Sequence, residues 1–183
     1  MFDRFLALLL ILILSPVILL LLLITACHFR CNPIFIQLRT INGDRVFKFF
    51  KIRSMKLNSP NVPTGMFTNS ENYISPWGDF LRKSSLDELL NMICVLKGDM
   101  NFIGPRPIMI EEIGLSELRK KNGVNCKPGI TGLAQINGRD LIQTTRKVAC
   151  ERYYNRKKTS IKLRTFILYK TIIAVIKKSG ITH

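Results

Sequence analysis

"FLALLLILILSPVILLLLLITA", Phe5 to Ala26, is almost wholly apolar and about as long as a bilayer span. The apolar run is too long for a signal peptide, and the following "CHFRCNP" has no small-x-small cleavage site. The segment is therefore expected to stay in the protein. Ser15-Pro16 falls near its middle. Pro16 has no N–H for the carbonyl of Leu12, and its ring crowds that turn, so a kink is expected. Two courses follow. The helix bends and still crosses, or it breaks, dips to mid-bilayer and returns on the same side. Each half is about 10 residues, roughly 15 Å of helix and half of the hydrocarbon thickness. The Ser15 hydroxyl can satisfy a backbone group that the proline frees. Taken alone, these residues favour a kinked span. Under either course Arg30, Arg39, Arg45, Lys48, Lys51 and Arg53 follow the segment, and they put the C-terminal bulk in the cytoplasm.

The 183 residues suit one domain with a real core. Lys and Arg number 28 against 12 Asp and Glu, a formal net charge of +16. That excess predicts anionic partners: nucleic acid, lipid headgroups or phosphorylated substrates. The cysteines are Cys27, Cys31, Cys94, Cys126 and Cys150, with no CxxC pair. An odd set without that spacing reads as reduced thiols rather than a secreted disulfide framework. Cys27-His28 with Cys31 is at most half a zinc site, and no second half follows.

"PIFIQLRTINGDRVFKFFKIRSM" (33–55) reads as a β-hairpin with Asn42-Gly43 as a two-residue turn. Lys51 and Arg53, two apart, leave the strand on one face. Residues 58–77, rich in Asn, Ser, Pro and Gly, read as a loop long enough to suggest a substrate-facing segment. "SLDELLNMICVLKG" is helical and ends at Gly98. Gly104, Pro105 and Pro107 fix a turn around Arg106, and "IMIEEIGLSELRKKN" is a charged helix. The tail "SIKLRTFILYKTIIAVIKKSG" (160–180) mixes a wide apolar face with Lys162, Arg164, Lys170, Lys177 and Lys178. It suits a helix in a membrane interface, or equally one packed on the core.

In "KSSLDELLNM" (83–92), Ser85 followed three residues later by Glu88 is a capping-box pattern. The same stretch offers chemistry. Asp87-Glu88 opens a helix whose positive end, with Arg82 nearby, keeps Asp87 ionised and also attracts phosphate. An ionised Asp facing a diphosphate is a competent nucleophile, and a carboxylate can hold Mg²⁺ that bridges phosphate oxygens. Lys51, Arg53, Arg82, Arg106 and Arg139 stand at constrained turns. Arginine forks bind phosphate there, beside glycines that let backbone amides approach an anion.

The whole set resembles the small monotopic phosphoglycosyl transferases, or bacterial sugar transferases. It comprises "SP" in the apolar segment, "KIRSM", "SLDELLNM…LKGDMNFIGPRP", "KPGITGLAQINGR" and a basic amphipathic tail, in order along nearly the whole chain. The resemblance implies that Asp87 attacks the sugar-bearing phosphate of a UDP-sugar and releases UMP. Undecaprenyl phosphate then takes the phosphosugar. It implies Asp87 and Glu88 as the catalytic pair, with Mg²⁺ on Asp87 and phosphate and nucleotide contacts at Lys51, Arg82, Arg106 and Arg139. It makes Ser15-Pro16 a re-entrant break, which reverses the preference for a kinked span. Leu133 stands where a Trp is common, Glu151 near a usual Asp, and Arg164 where the tail usually has an acidic residue.

The expected fold is α+β and mostly helical. It has one re-entrant N-terminal membrane helix (1–29) and a catalytic domain (30–183) with a small hairpin and amphipathic interfacial helices. The expected place is the bacterial inner membrane, with the catalytic domain on the cytoplasmic face among membrane lipids. No nucleic-acid partner is expected, and oligomeric state stays open. Two rivals of other classes are a non-catalytic scaffold for glycan assembly and a membrane-tethered nucleic-acid-binding module. The first predicts function indifferent to Asp87→Asn. The second predicts steep salt dependence and a nucleic-acid-binding motif, and the sequence carries none.

Overall fold

The computed structural model describes residues 2–60, 70–138 and 142–176. Helix α1 runs from Phe2 to Phe29, 28 residues or about 42 Å, with Pro16 inside it. Its helical pattern continues through the proline. Ser15 Oγ donates to the Leu12 carbonyl at 2.8 Å, the carbonyl that Pro16 leaves without its helical partner. Ala7, Ile18, Leu21 and Thr25 are buried along one stripe. The helix is long and apolar enough to cross a membrane, and only 11% of its most apolar stretch is buried. Leu12, Ile13, Leu19 and Leu23 stand exposed. An apolar surface of that size calls for lipid around it.

The described residues form two compact units, 2–37 with 49–60 and 70–96, and 38–48 with 97–138 and 142–176. The division falls within the strands of the hairpin, β1 (Ile34–Thr40) and β2 (Val46–Ile52).

The first unit holds α1, a 3₁₀ turn at Ser70–Tyr73, α2 (Pro76–Lys83), a second 3₁₀ turn at Leu86–Asn91 and most of α3 (Met92–Lys97). The expected loop at 58–77 is therefore shorter on its C-terminal side, and its residues 61–69 lie outside the described residues. The signal for α2 stood in the sequence as Ser75-Pro76. Ser75 Oγ accepts from Gly78 N at 3.1 Å, and Pro76 takes the first helical position, where no N–H is needed. A Cβ on Gly78 would lie 1.9 Å from the Ser54 carbonyl oxygen, so only glycine lets α2 press against the chain leaving β2. The neighbouring Trp77 donates its indole N–H to Thr25 Oγ1 at 3.0 Å and stacks on Phe80. That bond ties α2 to α1.

The second unit holds β3 (Asn101–Ile103), β4 (Ile108–Met109), α4 (Ile113–Lys121), β5 (Gly129–Thr131), α5 (Leu133–Ile136), α6 (Thr144–Lys157) and α7 (Ile161–Ile176). One sheet has the order β2-β1-β4, with Arg39 opposite Met109 and Thr40 opposite Ile108. In the other, β3 runs parallel to β5. The charged helix starts later than expected, because Ile108 and Met109 pair with β1 instead. Ile103, Cys126, Tyr154 and Ile167 make a core on which Leu133, Ile136 and Leu163 pack. Burial pushes the Cys126 thiol up to about 11. The core-packed reading of the tail holds for part of α7, and other apolar residues of the helix are exposed. Ile167 is buried in the core and Thr171 meets Thr131, while Ile161, Leu168, Tyr169 and Ile172 are exposed. Lys177 and Lys178 lie outside the described residues.

Two sequence expectations need correction here. Asn42-Gly43 is not a two-residue turn: residues 41–45 separate the strands, and only Gly43 of the pair has positive φ, at +87°. A tight turn of that kind needs positive φ at both central residues. Instead Thr40 Oγ1 accepts from Gly43 N and donates to the Arg45 carbonyl, and the buried Arg119 donates to the Ile41 carbonyl. Nor do the glycines of "GPRP" and "KPGITG" open space for an anion. A Cβ on Gly129 would meet Gly104 N at 2.0 Å, and one on Gly132 the Gly104 carbonyl oxygen at 2.1 Å. Their purpose is backbone-on-backbone packing beside β3 and β5.

Candidate active site

The first unit brings the carboxylates of Asp87 and Glu88 to the ammonium of Lys51. Lys51 Nζ lies 2.9 Å from Glu88 Oε1 and 3.6 Å from Asp87 Oδ2. The three side chains are 19%, 17% and 8% exposed for Lys51, Glu88 and Asp87, so the cluster is sheltered yet reachable.

Local backbone sets this up. Ser85 adopts a left-handed conformation, φ +57°, and makes no side-chain cap. The capping box is therefore absent, and the first six residues wind as a 3₁₀ turn before α3 begins. Glu88 accepts instead from Lys51, in a bond charged on both sides. The turn ends as the sequence indicated, with Gly98 at φ +88° just after α3. Sequence reasoning assigned the partnering cation of Asp87 to Arg82. In the structure Lys51 holds that place. Asn91, at the far end of the same turn, is buried and accepts from Phe50 N at 3.1 Å, one residue before Lys51. No motif reading singled out Asn91.

Arg82 closes α2. Its Nη1 meets the Met55 sulfur at 3.6 Å, a weak acceptor, and no carboxylate pairs with it among the described residues. It is a guanidinium poised for a better anion. Arg53 turns to the start of the hairpin, where its Nε donates to the Asn32 carbonyl at 2.9 Å and its guanidinium lies over Phe35. Arg106 belongs to the second unit, and its carbonyl accepts from Arg119 at 3.0 Å. Arg119 is fully buried and also donates to both carboxylate oxygens of Glu151. Arg139 lies outside the described residues.

No group of three or more His, Cys, Asp or Glu side chains that could hold a metal occurs among the described residues. His28 stands edge-on to Phe29, and the Cys31 thiol donates to the Asn32 carbonyl. The adjacent Asp87 and Glu88 still fit Mg²⁺, which takes one or two carboxylates and completes its shell with waters and substrate phosphates.

Comparison with known proteins is consistent across the chain. The family model for bacterial sugar transferases matches residues 1–178. The exopolysaccharide production protein ExoY of Sinorhizobium fredii is 29% identical over 98% of this chain and 85% of its own length. The uncharacterized sugar transferase EpsL of Bacillus subtilis is 31% identical over 99% of this chain and 88% of its own. The UDP-glucose:undecaprenyl-phosphate glucose-1-phosphate transferase of Escherichia coli is 37% identical over 74% of this chain and 30% of its own. Several relatives are longer, and the chain spans 35% of an uncharacterized sugar transferase of Haemophilus influenzae.

Proposed function

This chain belongs to the bacterial sugar transferase family, and from that premise we propose that it transfers a phosphosugar from a UDP-sugar to undecaprenyl phosphate. The observation that carries the reading is the sheltered Asp87–Glu88 pair closed by Lys51. The reaction has two displacements at one phosphorus. An Asp87 carboxylate oxygen bonds to the sugar-bearing phosphorus, and the bond to the bridging oxygen breaks, so UMP leaves. A phosphate oxygen of undecaprenyl phosphate then bonds to the same phosphorus, and the bond to Asp87 breaks. The product is a polyprenyl diphosphate sugar, and the carboxylate is restored.

The side chains divide this work. Lys51 offsets the negative charge of the pair, so an anionic diphosphate can approach it. Glu88 holds Lys51 in place. Arg82 exchanges its sulfur contact for a phosphate oxygen, a far stronger partner. Arg53, Arg106 and Arg139 supply further phosphate and nucleotide contacts. Mg²⁺, held by Asp87 with diphosphate oxygens, would neutralise charge on the phosphates.

The test is incubation of nanodisc-held protein with Mg²⁺, undecaprenyl phosphate and a panel of UDP-sugars. UMP release is expected with at least one sugar and is lost on chelation by EDTA. The thermal midpoint is expected to stay unmoved on chelation, because no group of three metal-ligating side chains occurs among the described residues. Silence with every sugar in a broad panel would end the reading.

The membrane helix is proposed to be re-entrant, with the catalytic units on the cytoplasmic face. Cys27 is exposed at the C-terminal end of α1, and Phe2 is exposed at the other end. An impermeant maleimide applied to inside-out vesicles should label Cys27 and, in Phe2→Cys protein, the new thiol as well. Labelling of the two from opposite sides makes α1 a simple span. Cys126 stays silent in this assay near pH 8, where a buried thiol with a pKa of about 11 is only about one part in a thousand thiolate.

A further inference from the structure

Asn91 is 1% exposed, and its Nδ2 has no hydrogen-bond partner among the described residues. Its orientation is fixed by chemistry. The Phe50 backbone N–H can only donate, so the amide atom 3.1 Å away must be Oδ1. The Cys94 thiol also points at Oδ1, at 3.9 Å. The orphan is therefore Nδ2, and no flip of the amide removes it. An unpaired buried donor is a standing cost, and native proteins keep few of them.

The alternatives at this position show what the cost secures. A leucine would remove the orphan but leave the Phe50 N–H without its acceptor. An aspartate would keep the acceptor and shed the orphan donor. It would also place a third carboxylate on the turn that already carries Asp87 and Glu88, competing for the Lys51 ammonium. Asparagine provides the acceptor without charge. The group it holds is the N–H of Phe50, the residue before Lys51, and Lys51 Nζ reaches both carboxylates.

We propose that Asn91 is a positioning residue: by clamping the Phe50 N–H it fixes β2 against the Leu86–Asn91 turn and so holds Lys51 at the Asp87–Glu88 pair. The inference rests on the activity proposed above only for its kinetic readout.

The experiment uses the full chain in nanodiscs. Lys51 is compared with Lys83, whose side chain is 44% exposed, for amine labelling followed by mass spectrometry. In Asn91→Leu, labelling of Lys51 relative to Lys83 should rise about tenfold, because the ammonium leaves its ion pairs. In UMP release, Asn91→Leu should lower kcat about tenfold or more and raise the UDP-sugar KM as well, because the displaced ammonium no longer offsets the charge that the diphosphate meets. Lys51→Met should have a similar kcat defect, and the Asn91→Leu/Lys51→Met double variant should be no slower than Lys51→Met alone. Asn91→Ser, whose hydroxyl is too short to reach Phe50, takes the place of Asn91→Leu if that variant does not fold. Unchanged Lys51 labelling, or kinetic losses that multiply in the double variant, would overturn the proposal. Should the wild type release UMP from no sugar, the proposed activity falls and the labelling result decides this inference by itself.

Discussion

Asp87→Asn protein should release no UMP and carry no phosphosugar, a loss of about a thousandfold or more. The substitution removes one anionic oxygen and keeps the side chain's shape, so the 3₁₀ turn has no steric reason to rearrange. The amide is too weak a nucleophile to displace UMP. The wild type gives the contrasting result. When UDP-sugar is supplied without a lipid acceptor, intact mass should show the chain heavier by one phosphosugar. The added mass disappears when undecaprenyl phosphate is supplied. Glu88→Gln should behave differently. Glu88 is the nearer partner of Lys51, and the nucleophile remains, so slow adduct formation persists. UMP release by Asp87→Asn at the wild-type rate would remove Asp87 from the chemistry and restore the scaffold reading.

Arg119→Met should destabilise the protein by about 3–5 kcal/mol, because it strands the Glu151 carboxylate inside the second unit. A chain of this size should lose roughly 10 °C of thermal midpoint. The guanidinium serves two carbonyls besides the carboxylate: that of Ile41 in the hairpin loop and that of Arg106 in the proline-flanked turn. Removing both charges, in Arg119→Met/Glu151→Leu, should recover much of the loss, since no buried ion is left unpaired. The two carbonyls still lack donors, so recovery stays incomplete. If the double variant melts no higher than Arg119→Met, the ion pair is not what the single change damages.

Local chemistry was legible wherever it was local. The apolar run, the hairpin strands, the stop at Gly98 and the Asp87-Glu88 pair all stood in the sequence, because period and residue type suffice to mark them. What failed depended on partners distant in the chain. Ser85 and Glu88 have the spacing of a cap, yet Lys51, 37 residues earlier, captures Glu88. Asn42-Gly43 has the composition of a tight turn, yet Arg119, 78 residues after Ile41, holds the loop in another shape. Gly104, beside Arg106, read as a glycine that lets backbone approach an anion because nothing local shows that Gly129 fills the space beside it. Glu151 looked like a mild change at a familiar position, and its buried partner is visible only once α4 and α6 are folded.

The bare flank of α1 also decides how this protein's abundance should be counted. A helix with 11% of its most apolar stretch covered by protein would, in the proposed membrane placement, leave the rest to lipid, and the chain would then diffuse in a sheet rather than in a volume. Encounters with a lipid partner then depend on molecules per unit of membrane area. Diluting a suspension of vesicles leaves those encounters as frequent as before. Fusing the same vesicles with empty ones makes them rarer, although nothing in the surrounding water has changed.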